Sequence, residues 1–138
     1  MLAVDGNRIV VRTEYGVSVL DVRGNIIREF PVDAEAAALS GSRLALQTAA
    51  GIEIYGIGTG EQTTRFRASH LEDLEGAILV TASGSRVTLR SLANGRTTTI
   101  QATHVIVSAQ LERSGLFVAT ATLATFTPMQ DVLRRLGG

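Results

Sequence analysis

"GNRIVVRTEYGVSVLDVRG", residues 6–24, reads as two short strands held between Gly6, Gly16 and Gly24. Apolar and polar residues alternate within it, as a strand requires, because successive side chains leave opposite faces. The stretch then recurs. "GSRLALQTAAGIEIYGIGTG" starts at Gly41 and "GAILVTASGSRVTLRSLANG" at Gly76, so the opening glycines are 35 residues apart twice. The closing glycines Gly24, Gly60 and Gly95 keep step at 36 and 35, and the middle turns carry Gly16, Gly51 and Gly84. Three glycine series in phase mark a repeat, since composition alone scatters glycines without phase. Glycine serves such corners because it reaches positive φ without a Cβ clash.

Two further strand-like pieces lie between the copies. One completes the preceding unit: "NIIREFPV" (25–32), "EQTTRFRA" (61–68) and "RTTTIQA" (96–102). The other opens each unit: "MLAVDG" (1–6), "AEAAALS" (34–40), "HLEDLEG" (70–76) and "THVIVSA" (103–109). Each period thus holds four short strands. One domain over 1–138 is expected, with units at about 1–31, 32–68, 69–102 and 103–138. "DAEAAAL" (33–39) has helical propensity through its alanines, but its place in the repeat makes it a strand. The fourth copy, "SGLFVATATLATFTPMQ" (114–130), keeps "GLFVAT", loses the glycine turn and meets Pro128, so a missing last strand is expected. In "MQDVLRRLGG", Met129, Val132, Leu133 and Leu136 stand at near-helical spacing. One or two helical turns, or a final strand with a loose tail, both fit.

A four-stranded antiparallel meander cannot bury both of its faces alone, and stacking such sheets radially solves the problem. The expected fold is all-β, a β-propeller or propeller fragment of about four blades of roughly 35 residues each. "VSVLDVRGNIIREF" (17–30) resembles the third and fourth strands of blades of the WD40-like/quinoprotein-like propeller superfamily. Those end the third strand on an apolar–Asp pair before a glycine turn, the place held here by Leu20–Asp21. Tyr55–Gly56 and Arg90–Ser91 replace the pair in the next two units, and the chain has no tryptophan. His70 and His104, 34 residues apart, sit near the Gly-His place of such blades without the preceding glycine. The resemblance implies a toroid presenting a binding surface and no single chemistry. Two assemblies stay open: a closed four-bladed ring, or part of a larger propeller completed by other blades. The chain starts on an innermost strand with no spare outer strand before it, which favours the second. Such an arc would expose apolar sheet faces at its ends and invite self-association.

The 138 residues are 45% apolar and 19% charged, with 13 acidic and 13 basic side chains, every basic one an arginine. A balanced charge argues against a nucleic-acid or anionic-membrane partner. The absence of cysteine removes disulfides, thiolate nucleophiles and cysteine-bound metal. "MLAVDGNRIVV" lacks the signal-peptide pattern and no apolar run approaches membrane-spanning length, so a cytoplasmic location is expected.

Candidate chemistry is sparse. His70 and His104, with Glu72, Asp73 and Glu75 beside the first, offer a cation site, but there is no HExxH and no third histidine. Loop or strand-edge positions are expected for both. "EDLE" lacks the spacing of a calcium loop and reads as a solvated strand or turn. Ser83, Gly84 and Ser85 lack the GxSxG pattern, and "GIGTG" (56–60) lacks the Lys-Ser/Thr of a phosphate loop, so both read as corners. Arg8, Arg43 and Arg86 recur near turns, and Arg65, Arg67 and Arg96 lie on or beside outer strands. A rim of arginines suits a carboxylate or phosphate, though alternation makes most of them solvent-facing edge charges. Tyr15, Tyr55, Phe30, Phe66 and Phe117 are expected to pack between blades. The innermost strands and their approaches offer Asp5, Glu35, Glu72 and His104 without a convincing constellation.

The expected function is therefore a non-enzymatic protein-binding or scaffold module, with no catalytic, cofactor-binding or metal residue assigned. A protein partner, self-association or completion by other blades is expected. The alternative is a portion of a propeller enzyme or of a ligand- or metal-binding sensor whose remaining blades lie elsewhere.

Overall fold

The structure is a computed structural model and describes residues 1–67 and 70–137. The expected unit boundary at 68/69 and the end at 138 lie outside the described residues. The described residues form fifteen strands and one helix, arranged in four antiparallel sheets. The first sheet holds β1 (Ala3–Asp5), β2 (Arg8–Thr13), β3 (Gly16–Asp21) and β4 (Ile26–Phe30). The second holds β5 (Ala36–Ser40), β6 (Arg43–Thr48), β7 (Gly51–Gly56) and β8 (Gln62–Phe66). The third holds β9 (His70–Glu75), β10 (Ile78–Ser83), β11 (Arg86–Ser91) and β12 (Thr97–Gln101). The last has three strands, β13 (Ile106–Glu112), β14 (Gly115–Thr120) and β15 (Ala124–Pro128), followed by α1 (Met129–Arg135). Every sheet is a meander, and this is the all-β, propeller-type architecture that the glycine phase predicts. The alanine-rich 33–39 stretch supplies β5, because tertiary pairing overrides its helical propensity.

The chain divides into two compact units, Met1–Arg67 and Ala68–Gly138, each with two sheets. Strand register shows how each unit makes its core. In the first sheet Ala3, Val10, Val19 and Arg28 are cross-strand partners in one row, and Val4, Ile9, Leu20 and Ile26 form the adjacent row on the opposite face. The corresponding rows of the second sheet are Ala38–Ala45–Ile54–Thr64 and Leu39–Leu44–Tyr55–Gln62. Val10, Val17, Val19 and Phe30 of the first sheet share a core with Leu39, Leu44, Leu46 and Tyr55 of the second. One sheet's first face thus covers the next sheet's second face. The other unit repeats this: Val80, Val87 and Leu89 of the third sheet share a core with Ala109, Leu111, Leu116 and Val118 of the last. Burial of such aliphatic side chains contributes roughly 1.5–3 kcal/mol each.

The fourth meander ends as its sequence suggests. In place of a fourth strand the chain turns into α1, where Val132 and Leu136 are buried in the unit's core and Met129 packs against it. Leu133, expected on the same stripe, is 41% exposed. Asn94 donates its side-chain amide to the Leu136 carbonyl at 3.2 Å and ties the helix end to the β11–β12 turn.

The middle glycine series needs correction. Gly16 and Gly51 pair with Thr13 and Thr48 at the first residue of β3 and β7, whereas Gly84 lies inside the turn and Arg86 takes the pairing position. Gly51 has φ +127, and a Cβ there would collide with the Phe66 carbonyl, while Gly41 at φ +57 faces open space. Gly41→Ala is expected to cost about 1 kcal/mol from backbone strain alone. Gly51→Ala is expected to cost about 3 kcal/mol, because the collision adds to the strain. Urea unfolding measures both, and equal losses would contradict this account of the corner.

Candidate functional site

Asp21 explains the Leu20–Asp21 signature physically. Its Oδ1 accepts the backbone N–H groups of Arg23 and Asn25, each at 2.9 Å, and so fixes the turn into β4. The Asn25 amide, ahead of its other contacts, holds the carboxyl below its ordinary 3.8.

The phosphate-loop likeness of 56–60 is resolved by what the loop presents. A phosphate cradle offers N–H groups. Here Arg28 donates through Nε to the Ile57 carbonyl at 2.6 Å and through Nη2 to the Gly58 carbonyl at 2.8 Å. The loop therefore turns carbonyls toward a cation, the wrong polarity for a phosphate. Ser83–Gly84–Ser85 is a hairpin corner in which Gln101 bonds the Ser85 hydroxyl and the Gly84 carbonyl accepts the Ile106 N–H.

The acidic run 72–75 departs from its expectation as a solvated segment. Asp73 is half-buried: its Oδ2 accepts the Leu111 N–H of β13 at 2.8 Å and its Oδ1 the Leu74 N–H at 2.8 Å. Glu72 is the extra residue of a bulge, since Val80 pairs with Asp73 and Thr81 with Leu71. It accepts the Ala109 N–H of the same neighbouring strand. Two carboxylates thus staple the innermost strand of one sheet to alternate amides of the next. Burial raises both carboxyls above their ordinary values, against the pull of those amides.

The histidines do not match each other. His70 pairs with Ala82 on β9, and its register counterpart in the last sheet is Ser108. His104 lies outside a strand, in the connection between β12 and β13, and both are exposed. The bulge that β13 carries at Val107 and the longer strand break the equivalence expected from spacing. Among the described residues no three His, Asp or Glu side chains gather closely enough to hold a metal ion.

Of the other residues singled out in the sequence, Asp5 pairs with Arg8 at 3.0 Å, and Glu35 accepts from Gln47 at 3.3 Å. Arg43 is half-buried, and Arg67, Arg86 and Arg96 are exposed. Phe30 and Tyr55 pack between sheets as expected, with ring centroids 5.0 Å apart. Phe66 is half-buried at the end of β8. Tyr15 corrects the expectation: it stands in the β2–β3 turn, off the sheet face, and is 83% exposed. Phe117 also departs, being 43% exposed on the uncovered face of the last sheet, where it stacks on its cross-strand partner Phe126 at 4.7 Å.

One polar cluster escaped sequence reading. Tyr55 donates its hydroxyl to Glu53 Oε1 at 2.7 Å, Thr48 donates to Glu53 Oε2 at 3.4 Å, and Arg65 stands 3.9 Å from the same carboxylate. Glu53 is 8% exposed. Burial, then the Glu53 hydrogen bond, pushes the Tyr55 hydroxyl up to about 12, so it stays a neutral donor and is no nucleophile near neutrality. The Glu53-x-Tyr55 alternation, which puts both on one face of an apolar strand, was the available signal.

Two predictions follow from these charges. Carbon-detected NMR titration should place Asp73 and Glu72 above their ordinary 3.8 and 4.5, and Asp21 below 3.8. Raised carboxyls bind protons better folded than unfolded. The stability from Asp73 and Glu72 is thus full below their unfolded values and is lost as pH rises through the raised ones. Asp21 acts oppositely: its contribution is present above 3.8 and is lost as pH falls through its lowered value. The reverse ordering of Asp73 and Asp21 would contradict the burial of Asp73. Separately, Tyr55→Phe should cost about 1–3 kcal/mol in urea unfolding, because it leaves a buried carboxylate oxygen unpaired; a neutral effect would show that the cluster is not buried as described.

No protein-family model matches the chain, and no curated protein matches it by sequence. Solved structures do. KlHsv2 with loop 6CD replaced by a Gly-Ser linker superposes with a TM-score of 0.73 at 16% identity, over 94% of this chain and 48% of that one. BamB from Moraxella catarrhalis superposes with a TM-score of 0.64 at 16% identity, over 95% of this chain and 50% of that one. The chain therefore has the β-propeller type of fold and spans about half the length of the solved propellers that it matches.

Proposed function

We propose that this chain is a β-propeller module that binds protein or acts as a scaffold, without catalytic chemistry of its own, and that it is a degenerate relative of the WD40-like/quinoprotein-like propellers. The observation that carries this reading is the unbroken apolar row Val4–Ile9–Leu20–Ile26 on the outer face of the first sheet. Val4 is 58% and Ile26 59% exposed. The equivalent rows Leu39–Leu44–Tyr55 and Leu111–Leu116 are covered by the preceding sheet within their own units. What suits the open row is another sheet of the same kind, from a second copy or from further blades. The last sheet presents the complementary surface, Phe117 and Phe126. The candidate polar groups support a scaffold, because Asp5, Glu35, Glu72 and Asp73 are already bonded to neighbouring groups.

A second reading, part of a propeller enzyme or of a ligand- or metal-binding sensor, draws on the half-length match to solved propellers. A site shared with further blades would be incomplete in this chain.

With its apolar rows uncovered, the chain is expected to self-associate at micromolar concentration. Light scattering should give about twice 14.6 kDa or more, and Ile26→Asp should restore a folded 14.6 kDa species whose thermal midpoint no longer depends on protein concentration. A 14.6 kDa monomer with or without the substitution contradicts the reading.

A further inference from the structure

Strand register shows what the first sheet holds in the place of the second sheet's buried polar cluster. Glu53 of β7 pairs with Arg65 of β8, and their charges stand 3.9 Å apart. Thr48, which donates to Glu53, also donates to the Gly51 carbonyl and accepts the Ala50 N–H of its turn. The corresponding residues of the first sheet are Ser18, Glu29 and Thr13. Ser18 pairs with Glu29, and Thr13 donates to the Gly16 carbonyl and accepts the Tyr15 N–H. The third sheet has the neutral pair Thr88–Thr99 in this place. The first sheet therefore keeps a carboxylate at the shared position and has no guanidinium paired with it.

A cleft opens there instead. It measures about 260 Å³ and is lined by Thr13, Tyr15, Ser18, Glu29, Phe30 and Pro31. Ser18 is 4% exposed, and among the described residues its hydroxyl has no hydrogen-bond partner. A nearly buried oxygen thus faces the cleft unpaired. The ion-paired carboxylates among the described residues are Asp5, Glu53 and Asp131, and the exposed Glu29 carboxylate has no partner there. A wider recess of about 450 Å³ shares Thr13, Tyr15 and Pro31 with the cleft and adds Glu14 and Asp33, whose carboxylates are equally unpaired among the described residues. The arginines of the adjoining strand positions are committed elsewhere: Arg12 donates to the Ala34 carbonyl, and Arg28 to those of Ile57 and Gly58.

We propose that this cleft binds a guanidinium, the side chain of an arginine presented by a polypeptide partner. The second sheet supplies the template, with Arg65 beside Glu53. In the cleft the Glu29 carboxylate is the two-oxygen acceptor that a planar guanidinium matches. The Ser18 hydroxyl oxygen accepts a further N–H. The Tyr15 ring, held in its turn by the Thr13 bonds, supplies an aromatic surface for the cation and its aliphatic stem. Glu14 and Asp33 add negative field that favours a cation over an anion. An ammonium lacks the planar fork, so arginine is preferred to lysine. The polypeptide source of the arginine rests on the protein-binding reading above, whereas the cleft's preference for a guanidinium does not.

The probe is N-acetyl-arginine amide, compared with the neutral citrulline isostere and with the lysine analogue. Titrated into the isotopically labelled chain, it should shift the Tyr15, Ser18 and Glu29 amides saturably at millimolar concentration. The citrulline analogue should bind about tenfold more weakly. The titration is run in the Ile26→Asp chain as well, so that a copy covering the open row does not hide the cleft. Glu29→Gln alters an exposed side chain and should keep the thermal midpoint while weakening the arginine probe about tenfold. Tyr15→Ala should weaken it about threefold. Glu112→Gln, at an exposed carboxylate of the last sheet, should change nothing. N-acetyl-Gly-Arg-Gly amide should bind at least as tightly as the arginine amide; loss of binding on adding the flanking residues would overturn the polypeptide source. The cleft assignment is overturned by the absence of a saturable shift in both chains, by citrulline or lysine binding as tightly as arginine, or by indifference to both Glu29→Gln and Tyr15→Ala. A chain that stays at 14.6 kDa yet binds the arginine probe keeps the cleft and contradicts only the self-association reading.

Discussion

A sheet with an in-register apolar row on each face is not stable with either row in water, and this constraint organises the whole chain. Each meander here is three or four strands of three to seven residues, too small to bury anything against itself. The chain answers by covering one sheet's face with the next sheet's opposite face: Val10 and Val19 against Leu39 and Leu44 in one unit, Val80 and Leu89 against Leu111 and Leu116 in the other. The same rule determines what is left over. Within its own unit the first sheet keeps an exposed row and the last sheet an exposed opposite face. The exposed Val4, Ile26, Phe117 and Phe126 are therefore consequences of the repeat and not accidents of composition.

Polar groups serve that packing. Asp73 and Glu72 reach from one innermost strand to the amides of the next, at a desolvation cost that raises both carboxyls. In the first unit Ala3 of β1 stands at the register position of Asp73, so no carboxylate is placed there to make such a staple. Arg28 reaches from the outer strand of the first sheet to the carbonyls of the β7–β8 loop. The Glu53–Tyr55 bond lies on the buried face of β7 and gives the carboxylate a hydrogen-bond partner there. Each of these groups is committed to a neighbouring backbone or side-chain partner.

The repeat was legible because glycines mark corners whose backbone tolerates little else, and because Asp21 makes the bonds that its place before a glycine turn suggests. The degraded last meander was legible from Pro128, while the spacing of Met129, Val132, Leu133 and Leu136 fitted a helix and a final strand alike, and burial of Val132 and Leu136 goes with the helix. What misled was finer than the period. A bulge moves register by one residue without altering composition, so His70 and His104 looked equivalent and are not. Gly84 held the phase while serving a different turn position. "EDLE" looked solvated because nothing local reveals a neighbouring strand's amides at Leu111. Tyr15 was assigned to packing from its residue type, although a tight turn places it outside the sheet.

Native-state hydrogen exchange on the first unit tests the central claim most directly, that each sheet owes its stability to the sheet that covers it. The slowest amides of β2 and β3 and those of β6 and β7 should open with one common free energy, because their rows share a core. If the first sheet instead exchanges independently, with protection well below that of the second, the face-to-face covering of rows is not what holds this protein together.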